Sequence, residues 1–420
     1  MSIPANWRNP TPTLAESGID AGELARLAGD RLLLFSLPPR DIEVPVRGTL
    51  RRYERVTFRG SAVVVPASAE KIRARLLDFA GYVSLIPNTT RAQILQQADT
   101  RTQVEYVHTF HLSMMTIHTR LRLQHERERD GSLSAWLMDG DADAAVSRWE
   151  IIPLGRDRSL LVYCNWADIA STNLLLQVLL KAQPDLALAA PYGAAFVAMD
   201  AMRSAFTPGT PAPASCPEQP VVPAFPRVQE HPLLATLAAA GPLALVDEGQ
   251  WLRRDDETYR QRFVAVGSHV DAPLASAYQH SIRFERYPEF LPLVLKATSK
   301  GKGEQLSVDW SYGIGLGFFS MGVQYRLGYQ QAGPSTLRFR RETGDIAWID
   351  GEWDWQALDA NRCLGAMTIG YRIGPQPPLV LRFARHLPHH DVIGGLYIGL
   401  TSMQRLGEWL PLQHAAGAAP

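Results

Sequence analysis

The chain has no surplus of charge of either sign. Lysine and arginine together number 42, and so do aspartate and glutamate. A nucleic-acid binder is expected to carry a basic stripe and a partner of cationic surfaces an acidic tail, and neither is here. Cysteine is nearly lacking: Cys164, Cys216 and Cys363 form an odd set with no CxxC spacing, which supports neither a disulfide framework nor a zinc site. A long uninterrupted apolar run is lacking as well. The nearest, residues 174–199, contains Lys181, Pro184 and Asp185 and falls short of the ~20 apolar residues of a membrane span. The N-terminal MSIPANWRNP lacks the basic start and apolar run of a secretory signal, so a soluble cytoplasmic protein is expected. There is no G-x-S-x-G elbow, Walker loop, HExxH or nucleotide fingerprint. Chemistry by a serine nucleophile, ATP or zinc has no support, and no cofactor is expected.

What is there is a repeat. Phe79, Tyr82 and Pro87 return as Phe284, Tyr287 and Pro292, each 205 positions later. The spacing then becomes 204: Val104-Glu105-Tyr106 returns as Val308-Asp309-Trp310, Arg122 as Arg326, Gly140-Asp141 as Gly344-Asp345, and Trp149-Glu150 as Trp353-Asp354. A period this long means two copies of one domain, since solenoid units run about 20 to 50 residues. Residues 207–228 carry seven prolines and little periodic apolar signal, which reads as a semi-rigid linker. The expected organisation is domain 1 over 1–206, linker over 207–228 and domain 2 over 229–420. The opening segment of each copy (about 1–55 and 229–258) does not align with the other, although short helices are expected at 21–27 and 233–239.

Within each copy the order reads strand, helices, many antiparallel strands, long helix. Residues 58–65 and 262–270 are β-rich, and 69–79 and 274–284 have helical spacing. Alternating runs follow, and the closing segments 186–206 and 391–410 are long and apolar on a broad face. One hairpin can be tested for consistency. With its turn at Ser113/Met114, residues whose numbers sum to 227 oppose each other. Val104, Tyr106, His108 and Phe110 then share one face with Leu123, Leu121, Thr119 and Ile117, and Glu105 opposes Arg122 on the other. In the second copy the sum is 635, which places Val308, Trp310 and Tyr312 inward and Asp309 opposite Arg326. That is the pattern of a half-buried antiparallel sheet, and the acid–Arg pairs are read as scaffold on its outer face.

The second copy reads RFERYPEFLPLVLKATSK around Tyr287 and DGEWDWQAL around Trp353. A YPEFLP segment after the first helices, with a G-x-W-x-W/F-x-x-L strand in mid-sheet, resembles the coenzyme-Q-binding and polyketide-cyclase branch of the START-like (helix-grip) superfamily. The first copy carries a weaker version, Tyr82 to Pro87 and Arg148 to Ile151, and departs from it where Glu289/Phe290 are replaced by Ser84/Leu85. The resemblance implies an α+β fold of two tandem helix-grip domains, each a curved antiparallel sheet wrapped around a long C-terminal helix. It also implies an apolar cavity that takes a lipid, quinone or polyketide.

The candidate ligand contacts are aromatic or soft side chains: Tyr106, His108, Phe110, Trp149, Tyr192 and Phe196 in the first copy; Trp310, Tyr312, Trp353, Tyr397 and Met403 in the second. For any one of them ordinary core packing is an equal reading. As a set they bring O–H and N–H groups into apolar walls, as ligand sites do. His108 stands where the second copy has Tyr312 and is a candidate general base. The remaining histidines do not recur at equivalent positions, and neighbours of odd spacing on a strand, such as His108 and His111, point to opposite faces, so no metal is expected. The hairpin tips are apolar, with Met114 and Met115 in one copy and Phe318 and Phe319 in the other. Two readings stand: packing against the chain itself, or a portal that touches a membrane transiently. A binding protein or carrier is the leading reading, and a two-domain polyketide aromatase/cyclase is the alternative. The oligomeric state is open.

Overall fold

The computed structural model describes residues 7–417 apart from 113–114, 169–176, 178–180, 182, 208, 210, 255–256, 302–305, 317–318, 376, 379–380, 383–384 and 386–387. The chain divides into two compact units, Met1–Gly209 and Thr210–Pro420.

The first unit runs α1 (Ala21–Ala28), β1 (Leu32–Ser36), β2 (Arg40–Val46), β3 (Thr49–Val56), β4 (Arg59–Val65), α2 (Ala69–Leu77), α3 (Tyr82–Leu85), β5 (Thr89–Ala98), β6 (Arg101–Leu112), β7 (Met115–Arg127), β8 (Leu133–Gly140), β9 (Ala145–Pro153), β10 (Ser159–Ala167) and α4 (Leu186–Ser204). Its strands lie antiparallel in the order β1-β4-β10-β9-β8-β7-β6-β5, and β2-β3 form a separate hairpin. The second unit repeats the order: α5 (Leu233–Ala240), β11 (Leu243–Val246), β12 (Gln250–Arg254), β13 (Glu257–Gln261), β14 (Val264–Val270), α6 (Leu274–Ser281), a 3-10 turn at Phe284–Glu289, β15 (Val294–Lys300), β16 (Leu306–Leu316), β17 (Phe319–Gly333), β18 (Thr336–Gly344), β19 (Trp348–Ala357), β20 (Cys363–Arg372) and α7 (His390–Gly417). Its strands lie in the order β11-β14-β20-β19-β18-β17-β16-β15. The molecule is thus α+β, with large antiparallel sheet and a C-terminal helix in each unit. Among the described residues no helix is long and apolar enough to cross a membrane.

The register of the long hairpins follows the pairing sums. Val104 faces Leu123, Tyr106 faces Leu121 and Glu105 faces Arg122, while Val308 faces Leu327, Trp310 faces Tyr325 and Asp309 faces Arg326. The turn residues 113–114 and 317–318, which include Met114 and Phe318, lie outside the described residues, as do the side chains of Phe110, Met115 and Phe319. Trp149 and Trp353 occupy the same place. Trp149 on β9 lies between Leu133 and Tyr163, and Trp353 on β19 lies between Leu337 and Met367.

The Gly-Asp repeat is a bulge device. Gly140 and Gly344 have φ of 150° and 124°, and a Cβ there would collide with the carbonyls of Arg120 and Gln324. Only glycine fits comfortably. The aspartates then close the bulge: Asp141 accepts from the Arg120 amide at 2.6 Å and Asp345 from the Gln324 amide at 2.7 Å.

Each closing helix packs against one side of its sheet, α4 on β1, β4 and β10, and α7 on β14 and β20. A Cβ at Gly395 or Gly399 would press on Val264 or Val266, so these two glycines let α7 approach β14 closely. This side is the inner face, and Met403 and the fully buried Trp355 share it beside Gly365.

The outer face is covered too. In the first unit residues 7–14 lie over it: Leu14 N–H donates to Glu150 at 2.8 Å, Arg148 donates to the Thr11 carbonyl at 3.1 Å, and Trp7 packs edge-on against Trp136 at 5.1 Å. In the second unit the proline-rich stretch does the same. Arg227 pairs with Asp354 at 3.0 Å, the Val228 amide donates to Gln356 at 2.9 Å, and the Gln356 amide donates to the Pro226 carbonyl at 3.0 Å. Phe225, 3% exposed, covers Gly267. That cover is why β19 is buried on both faces although it alternates Asp350, Glu352 and Asp354 with Ile349, Gly351 and Trp353. Of residues 207–228, expected as a linker, the stretch from Pro217 onward bonds to the second unit.

Candidate functional site

The inner face of each unit carries a chain of polar aromatic contacts built on the same scaffold. The helix-to-strand connection is anchored by a tyrosine in both: the Tyr82 hydroxyl donates to the Leu76 carbonyl at 2.8 Å, and Tyr287 to the Ser281 carbonyl at 2.7 Å. A buried phenol lacking such an acceptor would cost about 1–3 kcal/mol. Beside it, Phe79 lies 4.4 Å from the His125 ring and Phe284 lies 4.5 Å from Tyr329.

From there the copies differ in chemistry at matched positions. In the first unit the Tyr106 hydroxyl meets His125 Nε2 at 3.0 Å. Tyr106 also stacks with Tyr82 at 5.9 Å and His108 at 6.4 Å, and His108 Nδ1 meets Thr89 Oγ1 at 3.1 Å. In the second unit the Trp310 indole N–H donates to Tyr329 Oη at 3.2 Å. Tyr312 packs at 5.9 Å from Trp310 and stacks on Tyr325 at 5.6 Å.

Burial sets the protonation of these groups. A charged form loses its hydration in an apolar layer, so the Tyr106, Tyr325 and Tyr329 phenols are pushed well up and Tyr312 to about 12. The same cause lowers His108 and brings His125 down to about 3. At neutral pH both histidines are uncharged and every one of these phenols keeps its proton. The His125 Nδ1 atom, and the indole nitrogen of Trp355 in the second unit, are buried without a hydrogen-bond partner. What this arrangement can do is offer neutral donors, and one imidazole nitrogen, inside an apolar wall. Among the described residues no group of acids, histidines or cysteines is placed to hold a metal ion. Burial raises the Cys164 and Cys363 thiols to about 12, which leaves them unreactive.

The expected site residues fall into separate groups. Tyr106 and His108 are together. Trp149 instead stacks on Tyr163 at 4.2 Å. Tyr192 is on α4, where its hydroxyl is 2.7 Å from Ser36 Oγ and its ring lies under Arg59 at 5.0 Å. Phe196 is fully buried on the same helix. Trp310 and Tyr312 are together, and Trp353 reaches them through Tyr287, which lies 5.2 Å from Trp310 and 6.5 Å from Trp353. Met403 is fully buried and Tyr397 is half-buried on α7. Sequence reasoning missed His125, Tyr325 and Tyr329. Their signal was parity: all three share the inward parity of Leu123 or Leu327 in the hairpin register.

The acid–Arg pairs lie on the opposite face. Arg326 grips Asp309 with two bonds, 2.6 and 3.2 Å, and Lys300 adds a third contact at 2.6 Å. These partners hold the Asp309 carboxyl down at about 2. Glu105 has three arginines around it, Arg120 and Arg122 at 3.4 Å and Arg91 at 3.8 Å.

No family model matches the chain, and no curated protein does. Among solved structures it is similar to the di-domain ARO/CYC StfQ from the steffimycin biosynthetic pathway, at 10% identity over 85% of this chain and 97% of that one, with a TM-score of 0.28. It is similar to the Zhui aromatase/cyclase from Streptomyces sp. R1128, at 15% identity over 38% of this chain and 100% of that one, TM-score 0.32. A STAR-related lipid transfer protein from Xanthomonas axonopodis matches at 14% identity over 40% of this chain and 98% of that one, TM-score 0.28. Overlaps this loose carry no functional argument. Helices after the first long strand, then a run of antiparallel strands and a closing helix, are present twice, which is the order of elements that the helix-grip resemblance implies.

Proposed function

We propose that this chain binds a hydrophobic small molecule, of the lipid, quinone or polyketide class, between the sheet and the closing helix of its units. The observation that carries the reading is the set of uncharged polar aromatic groups on the inner faces, with Tyr106, His125, Trp310 and Tyr329 buried and His108, Tyr312 and Tyr325 half-buried. Apolar walls with a few neutral donors suit a ligand with an apolar body and a carbonyl or hydroxyl end. In this reading each sheet curves around its closing helix, the protein works in the cytoplasm, and no cofactor takes part.

The second reading is a polyketide aromatase/cyclase. The Tyr106–His125 pair favours it, because a phenol donor to a carbonyl and an imidazole with one unpartnered nitrogen are the parts of an acid–base site. A base serves best when its pKa is near the working pH, and His125 is held at about 3. Binding therefore stands first. The test is native mass spectrometry of the purified full chain, followed by titration with a fluorescent fatty acid and a short-chain quinone. The double variants Tyr106→Ala/His108→Ala and Trp310→Ala/Tyr312→Ala should each lose a large part of one binding event. Undiminished binding in both, with folding intact, refutes the reading. Turnover of a model poly-β-ketone lost on His125→Gln would establish the second one.

A further inference from the structure

Residues that only one copy has are where the copies differ in role, and the largest such difference lies on the outer face of the second unit. A recess of about 160 Å³ there is lined by Arg254, Arg340, Arg341, Trp348 and Asp350, with Glu218 and Gln219 from the proline-rich stretch. At the matched outer-face position the first unit has Trp136 where the second has Arg340, and Trp7 packs on that tryptophan.

The charges in this recess are not balanced by its own residues. Arg340 is satisfied: it donates to Asp350 at 2.7 Å and to Gln219 at 3.0 Å. Asp350 is also taken, since it accepts from Trp348 as well, and burial raises its pKa against the pull of Arg340. Arg341 reaches only the Gly344 carbonyl, at 3.0 Å, and its Nε is buried with no partner. Arg254 makes no hydrogen bond or ion pair among the described residues. It stands close enough to Arg341 that, after desolvation, its positive charge is what lowers the Arg341 pKa. Arg254 also lies near the Asp350 carboxylate, but Arg340 already holds that group; neighbouring guanidinium groups repel each other, and a buried donor left unpaired costs further free energy. The other carboxylate of the lining is Glu218, exposed at the rim.

We infer that this recess is an anion site for a phosphate-type oxyanion, held by the forks of Arg254 and Arg341. Three arginines face two carboxylates, Asp350 and Glu218, in the lining, and a bound anion offsets the positive charge left over. Guanidinium forks match phosphate oxygens in paired, charge-assisted bonds. Glu218 competes for the same arginines from the rim. Arg340 and Asp350 of the lining are on the outer face, while Arg341 pairs with Leu327 in the strand register; the two proposed sites are tested by different variants and stand or fall separately.

The test is isothermal titration of the full chain with inorganic phosphate at low ionic strength, beside flotation with phosphatidylcholine vesicles with and without phosphatidate. One phosphate per chain should bind. Arg254→Gln and Arg341→Gln should each weaken it by about tenfold or more, as loss of a charge-assisted bond implies. Glu218→Gln should tighten it, and Arg338→Gln, which touches Glu352 instead, should leave it unchanged. Phosphatidate-dependent flotation lost in the same two arginine variants, without binding of free phosphate, would assign the anion to a lipid headgroup. Arg254 is at the surface, so its variant tests the site even if Arg341→Gln fails to fold. Phosphate and vesicle binding that are both absent, or that are indifferent to Arg254, overturn the inference.

Discussion

The inner faces of the two units compare one architecture under two chemistries. Tyr106 and His125 in the first stand where Trp310 and Tyr329 stand in the second, and each pair makes one polar contact, at 3.0 and 3.2 Å. The donor and acceptor types changed while the contact stayed. A buried polar group must find a partner, but it need not be a particular one. What the scaffold requires at this place is a satisfied pair. Which pair it is remains free to vary.

The comparison can be pressed hardest at its most buried point. Trp355 is 1% exposed, and its counterpart in the first unit, Ile151, is half-buried. Trp355→Ala should destabilise the second unit by about 3–5 kcal/mol. Ile151→Ala should cost the first unit clearly less. Urea denaturation followed by hydrogen exchange of β6–β7 and β16–β17 separates the units, and equal losses would break the correspondence between them.

Acid offers the next test. Burial brings His125 from 6.5 to about 3, so the unfolded chain binds a proton that the folded unit refuses. The stabilisation is full above about 6.5 and is lost as pH falls toward about 3, at up to about 1.4 kcal/mol per pH unit. His108 is lowered by the same cause and adds in the same direction. The second unit has Tyr329 and Tyr312 at these places, and neither titrates in that window. His125→Gln should flatten much of the first unit's acid limb, while Tyr329→Phe should leave the second unit's acid limb unaltered. An unchanged profile in His125→Gln would show that the imidazole is hydrated after all.

The smallest effects belong to the outer-face acids. Arg326→Ala removes the two-bond grip on Asp309 but leaves Lys300, and a pair this exposed and screened contributes little. Arg122→Ala should cost less still, because Arg91 and Arg120 remain beside Glu105. Neither substitution should change binding of a fluorescent fatty acid. Loss of binding in a folded Arg326→Ala protein would move that pair into the site. Asp309 itself, held at about 2, gives stability that is present above its ordinary value of 3.8 and fades as pH falls toward about 2.

The hairpin register and the match of Trp149 to Trp353 were legible because alternation and a constant offset constrain each other. His125 and Tyr329 were legible in principle, through parity, but a histidine drew attention to metals and away from the face it shares with Tyr106. The opening segments were not aligned for a physical reason. Leu37 N–H bonds to the Phe58 carbonyl and Asp247 N–H to the Phe263 carbonyl, so these are matched residues, yet the stretch between them is five residues shorter in the second copy. The difference lies in an exposed hairpin, β2–β3 against β12–β13, where length is cheap. The separation of Tyr192 from Tyr106 could not be read, because it depends on where a helix docks and not on spacing within it.

The covers over the two outer faces bear on the history of the chain. Leu14 reaches Glu150, and Arg227 reaches Asp354, the residue matched to Glu150; helix, strand and hairpin then follow in the same order in both units. A duplication that began at the first of those helices would have left the second copy without its cover and Asp354 without Arg227. The proline-rich stretch thus holds in the second unit the place that residues 7–14 hold in the first, fastened at the matched acid by a different donor.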